Sequence, residues 1–147
     1  MLRLPVRSRR TTRSGFTLIE TLIICVMTGI VLGIAAPRIR ALTDSLSVDA
    51  AAREITSIFA FARLVALRDR GADVQLDSAA VRLTTRGRVL SEQRIATRHG
   101  VRIRTTLGVV RYAATGVALG LSNGSIYISR GAAADTIVIS RLGRVRH

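Results

Sequence analysis

The chain has 147 residues, 48% of them hydrophobic and 22% charged, and its 23 basic residues against 9 acids give a net charge of +14. That length leaves room for one small folded domain beyond an anchor and not for two, and the single cysteine, Cys25, excludes an internal disulfide. His99 and His147 stand alone and no metal-ligand spacing, nucleotide-binding glycine loop or Gly-x-Ser-x-Gly occurs, so neither enzymatic activity nor a cofactor is expected.

The first 15 residues carry Arg3, Arg7, Arg9, Arg10 and Arg13 and no acid, a basic leader that the positive-inside rule keeps in the cytoplasm. Ser8-Arg9-Arg10 lacks the following hydrophobic positions of a twin-arginine signal. From Phe16 to Ala36 run 21 residues in which only Glu20 is charged. As a helix rising about 1.5 Å per residue they reach roughly 30 Å, the thickness of a bilayer core. The rest of the chain is then expected on the outward side. The small residue that a secretory signal carries after its apolar region stands here at the polar-to-apolar junction, as Gly15. Glu20 is costly in such a helix unless it is paired. Cleavage after Gly15 would leave a free α-amino group on Phe16, one helical turn from Glu20. A neighbouring subunit shifted along the axis could present that cation to the carboxylate and so set the register between stacked subunits. The alternative is a plain anchor with an interfacial Glu20.

The run Gly15-Phe16-Thr17-Leu18-Ile19-Glu20 behind a basic leader and ahead of an apolar helix resembles the type III signal of type IV pilins and type II secretion pseudopilins. The resemblance implies cleavage by a prepilin peptidase between Gly15 and Phe16, N-methylation of Phe16, and a role for Glu20 in filament assembly. It also implies a single-pass inner-membrane protein, with its N-terminus cytoplasmic and its C-terminal domain periplasmic or otherwise extracytoplasmic. Pro37 sits where that family commonly has a helix-interrupting proline. Thr21 departs from the large aliphatic residue usual there, and is expected to bond its own helix backbone.

Within the span, Gly29 and Gly33 are spaced to admit a second helix closely. Pro37 cannot donate to the Gly33 carbonyl, which makes either a weak point in the helix or a simple kink. Cys25 is read as a small apolar filler. Beyond Pro37, Ile39, Leu42, Leu46, Ile55, Ile58, Phe59, Ala62 and Val65 fall mostly three or four apart, with alanines 50 to 52 bridging the gap. They are read as one face of an amphipathic helix rather than as a coiled coil. Arg68 and Arg70 suit a helix C-terminus and Gly71 a terminator. After Gly71 the period becomes two, predicting strands at Val74 and Leu76, Val81 and Leu83, Val101 and Ile103, Val109 to Tyr112, Val117 to Leu121, Ser125 to Ser129 and Thr136 to Ser140. The last two form the clearest hairpin. The expected fold is α+β and pilin-like, a long N-terminal helix packed on antiparallel sheet. The parts are a leader (1–15), a membrane helix (16–36), its amphipathic continuation (37–70) and a β domain (71–147).

Phe61-Ala62-Arg63, Ala66 and Arg68, then Gly116, Gly124-Ser125-Ile126-Tyr127-Ile128 and Ile137 to Arg146 are similar to the GspH/FimT branch of pseudopilins. That branch holds minor pseudopilins of type II secretion and minor pilins of type IV pili, some of which bind DNA. Gly143-Arg144-Val145-Arg146 matches the Gly-Arg-x-Arg tail of the DNA-binding members. Five of the 23 basic residues lie in the leader, leaving 18 against 9 acids, a net of +9. Every basic residue is arginine; a GC-rich coding bias accounts for that without function, and a phosphate- or carboxylate-binding surface accounts for it by bidentate pairing.

Two roles follow. One is a minor pseudopilin near the tip of a filament serving protein secretion, with a prepilin peptidase, other pseudopilins or pilins and the inner membrane as partners. The other is a subunit that captures double-stranded DNA through Arg141, Arg144 and Arg146. Four aromatic residues beyond the span are too few for a base-stacking platform. A lone histidine in a strand-rich region, such as His99, is expected at the surface.

Overall fold

Thr17 stands just ahead of a helical run, and in the computed structural model its hydroxyl accepts the Glu20 N–H at 3.3 Å, the cap expected of a threonine three residues before that donor. The structure describes residues 15–120 and 123–146. The expected leader apart from Gly15, the Leu121 end of one predicted strand, and His147 lie outside the described residues. From Thr17 begins α1 (Leu18–Asp69), 52 residues with Pro37 inside it. The Thr21 hydroxyl donates to the Thr17 carbonyl at 3.3 Å, the backbone bond expected of it.

Two compact units divide at Pro37. In the first, every large apolar side chain from Leu18 to Ile34 is exposed, and α1 is long and apolar enough here to cross a membrane. Cys25 is exposed as well.

The second unit, Arg38–His147, packs the later part of α1 on two antiparallel sheets. Strands β1 (Gly71–Leu76), β2 (Val81–Thr85) and β3 (Arg88–Gln93) are followed by a short helix α2 (Ile95–His99). Then come β4 (Arg102–Thr105), β5 (Val109–Ala113), β6 (Ala118–Leu119), β7 (Gly124–Arg130), β8 (Ala133–Ile139) and β9 (Val145–Arg146). One sheet has the order β3-β2-β1-β5-β6 and the other β4-β7-β8-β9. Alternation explains their inner faces: Ile103 on β4, Ile126 and Ile128 on β7, and Ile137 and Ile139 on β8 are fully buried, while the residues between them are not. Against them α1 turns Val48, Ala51, Ala52, Ile55, Phe59, Ala62, Val65 and Ala66. The four alanines leave room for the sheets to approach the helix.

This helix face corrects the sequence expectation. Ile39, Leu42 and Leu46 are 62%, 60% and 59% exposed, not joined to the face of Ile55 and Phe59. Leu46 and Ile55 are nine residues apart, which is two and a half helical turns and therefore opposite sides of the helix. Alanines 51 and 52 belong wholly to the inner face. Leu64, five full turns beyond Leu46, is exposed with Phe61 and Leu67.

The helix end also differs in detail. The left-handed residue after Asp69 is Arg70 (φ 62°), and Gly71 follows at φ 143° as the chain reverses into β1. Arg86, itself at φ 47°, donates from Nε to the Asp69 carbonyl at 3.1 Å, closing one of the carbonyls that a helix end leaves open. At the β1–β2 turn, Asp77 Oδ1 accepts the Ala79 and Ala80 N–H groups, each at 2.7 Å. The Ala80 bond and then the Ala79 bond hold its carboxyl below the ordinary aspartate value. The turn therefore gains stability above the unfolded pKa and loses it as pH falls through the folded one.

The C-terminal segment is a turn and a short strand. Gly143 N–H donates to the Ser140 carbonyl at 2.8 Å, and Ser140 N–H to the Arg144 carbonyl at 2.9 Å, so that β9 pairs with β8. The buried Tyr112 hydroxyl donates to the Gly143 carbonyl at 3.1 Å, and burial pushes its pKa up, keeping it the neutral donor. Gly143 has φ 77°, and a Cβ there would stand 2.6 Å from Tyr112 Cε1 and 3.0 Å from Ala118 Cβ. Gly143→Ala is expected to destabilise the unit by about 2 kcal/mol, read as a lower midpoint in urea; an unchanged midpoint would show that this turn is not pinned by Tyr112.

Candidate assembly and anion-binding surfaces

At the N-terminal junction, Gly15, Phe16 and Glu20 are all exposed. The Glu20 carboxylate has no ion-pair partner among the described residues, although it lies in the first turn of α1, where the helix dipole favours an anion. The dipole offsets part of the cost of a charge in an apolar setting.

Along the second unit, α1 has a second apolar face opposite the core. It starts with Ile39, Leu42 and Leu46 and resumes with Phe61, Leu64 and Leu67. Between these groups lie Ala50, Arg53 and Ser57, so the stripe is broken in the middle by short or polar side chains.

The acids hold the domain together at specific places. Glu54 on α1 takes Arg98 through Oε1 and His99 Nε2 through Oε2, both at 2.6 Å, while Arg98 also donates to Gln93 Oε1 at 2.8 Å. This corrects the expectation of a lone surface histidine: the His99 side chain is only 20% exposed and is held by Glu54, 45 residues away in sequence. Asp44 on α1 accepts from Arg130 Nε at 2.9 Å, and the same guanidinium donates to Ser47 Oγ at 2.9 Å and to the His99 carbonyl at 2.6 Å. Gly131 (φ 55°) follows Arg130, and a Cβ there would run into the Asp44 carboxylate. Arg111 pairs with Asp73 and Arg82 with Glu92, each at 3.1 Å. No signal in the sequence singled out Glu54, Asp44 or Arg130, because each partner lies more than 40 positions away.

Arg141, Arg144 and Arg146 are exposed. Arg144 and Arg146 line one open groove with Asn123, Val138, Ser140 and Leu142; Arg141 is not among its lining residues. No group of three His, Cys, Asp or Glu side chains able to hold a metal occurs among the described residues.

Residues 10–36 match the prokaryotic N-terminal methylation motif, and they contain the Gly15/Phe16 junction, Glu20 and the apolar part of α1. Together with a long helix packed on antiparallel sheets, that motif defines a pilin-like protein, and the one helix among the described residues that is long and apolar enough to cross a membrane fits a single-pass anchor. No curated protein matches the sequence significantly. The fold is similar to that of the type IV minor pilin FimU of Pseudomonas aeruginosa PAO1 in two crystal forms. The first is 15% identical with a TM-score of 0.57, over 67% of this chain and 86% of that one. The second is 16% identical with a TM-score of 0.55, over 67% and 90%.

Proposed function

We propose that this chain is a minor pseudopilin or pilin of the GspH/FimT branch. A prepilin peptidase cuts it between Gly15 and Phe16, Phe16 is methylated, and the product joins a type II secretion pseudopilus or type IV pilus-like filament near its tip, serving protein secretion. The leader stays cytoplasmic and the β domain is extracytoplasmic. Glu20 carries this reading: it is the one charge in the apolar run, exposed and without an ion-pair partner among the described residues. A neighbour's N-terminal amine satisfies it, and the exposed face of Ile39, Leu42 and Leu46 supplies apolar area for neighbouring helices.

Processing tests the reading directly. Co-expression with a prepilin peptidase should shorten the chain by the 15 residues that precede Phe16 and add one methyl group, which intact-mass measurement reads. A full-length product, or a cut beyond Ala36, overturns it.

A second reading, capture of double-stranded DNA, is favoured by the groove that Arg144 and Arg146 share. Guanidinium groups suit phosphate oxygens bidentately. Loss of the gene should then reduce DNA uptake and leave secretion intact; the secretion reading expects the reverse.

A further inference from the structure

Arginines without an ion pair among the described residues occur over much of the domain, and on one sheet face they stand with no acid beside them. The unit Arg38–His147 contains eight acids: Asp44, Asp49, Glu54 and Asp69 on α1, Asp73 on β1, Asp77 in the turn after it, Glu92 on β3 and Asp135 on β8. Only Asp135 belongs to the β4-β7-β8-β9 sheet. It stands opposite the buried Ile128 in the ladder, on the inner side of the strand, and accepts the Thr136 N–H at 2.7 Å.

The outer face of that sheet follows from the registers. Arg102 is opposite Ser129 and Arg104 opposite Tyr127; Ser129, Tyr127 and Ser125 are in turn opposite Ala134, Thr136 and Val138; and Val138 is opposite Arg146. The residues alternating with these, Ile103, Ile126, Ile128, Ile137 and Ile139, are buried. The outer face therefore holds arginines at both edges, hydroxyls, one alanine, Tyr127 and Val138 between them, and no acid. None of Arg102, Arg104, Arg144 and Arg146 has an ion pair among the described residues.

The geometry points to this face as a docking platform for double-stranded DNA, with Arg102 and Arg104 on one edge and Arg144 and Arg146 on the other as two rows of phosphate contacts. This inference rests on the DNA-capture reading and extends it from the tail to a whole sheet. Spacing and charge select the ligand. Three strand separations put the two edges about 14 Å apart, close to the roughly 12 Å width of a B-DNA major groove bounded by its two phosphate rows. A single strand offers one such row. Between the edges, the hydroxyls of Ser125, Ser129 and Thr136 can donate to phosphate oxygens, while Tyr127 and Val138 project from the same face. Contacts of this kind position the duplex without reading its sequence.

The test uses the processed chain in nonionic detergent and a short fluorescent duplex of arbitrary sequence, with anisotropy followed over salt. Four phosphate contacts predict that affinity falls about 150-fold between 50 and 200 mM salt, and two contacts about 12-fold. Arg102→Ala/Arg104→Ala and Arg144→Ala/Arg146→Ala should each give the smaller fall, and the fourfold variant should lose salt-dependent binding. Arg102→Lys/Arg104→Lys should keep the wild-type slope, which separates lost charge from a damaged strand. Arg88→Ala/Arg94→Ala, which removes the same charge from exposed positions outside this sheet, should keep it too.

A wild-type slope in the β4 variant, with a reduced one in the tail variant, overturns the sheet platform and leaves DNA capture by the tail standing. Equal loss in the Arg88/Arg94 control, or equally tight binding of a single strand, also overturns the platform. No binding of the wild-type chain at low salt overturns both.

Discussion

Glu20→Ala is expected to leave cleavage after Gly15 and membrane insertion unchanged while reducing recovery of the chain with its filament partners on the order of 100-fold. The size follows from the environment. In apolar surroundings, removing one member of an ion pair strands the other and costs about 3 kcal/mol or more; in the assembly proposed above, the stranded group is the neighbour's Phe16 amine. Glu20 sits one helical turn from Phe16 of its own chain, and its carboxylate is exposed with no ion-pair partner among the described residues. The variant loses no internal salt bridge, so its fold should be intact. Co-purification with tagged partner subunits, beside intact mass for processing, reads both effects, and equal recovery of variant and wild type would rule the pairing out.

Phe59→Ala should be the most damaging single change in the second unit. Phe59 is 1% exposed on the inner face of α1, and truncating a buried phenylalanine costs about 4 kcal/mol through lost transfer energy and a cavity. For a unit of this size that corresponds to a fall of roughly 15–30 °C in Tm. Leu46→Ala, on the opposite face and 59% exposed, should change stability by no more than about 0.5 kcal/mol, while weakening filament recovery. The chain has no tryptophan, so tyrosine fluorescence, with Tyr112 buried in the core, follows the melt. A drop for Leu46→Ala comparable to that for Phe59→Ala would mean that the helix has only one apolar face.

The contrast between these two residues marks how far the sequence could be read. The N-terminal methylation motif and the apolar run that follows Gly15 are properties of a one-dimensional stretch: a motif, a length and a near-absence of charge. The hairpin of β7 and β8 was legible from alternation, since Ile126 and Ile128 on one strand and Ile137 and Ile139 on the other are each separated by a single residue. The end of α1 was legible within a residue from its arginines and Gly71.

Other features depended on the third dimension. Spacings of three and four look alike on either side of a helix, so the nine-residue step from Leu46 to Ile55 concealed a change of face that only packing against the sheets settled. A five-residue helix with one buried isoleucine, Ile95, has too few turns to show a period. The strands β3 and β9 escaped because one is exposed at an edge and the other is two residues long. For the arginines, composition determined how many charges the chain carries. Which of them acids neutralise was decided by contacts such as Asp44 with Arg130 and Glu54 with Arg98, between positions far apart in sequence. The placement of Arg102 and Arg104 across one sheet from Arg146 was decided by strand order, because β4 pairs with β7 rather than with its neighbour in the chain.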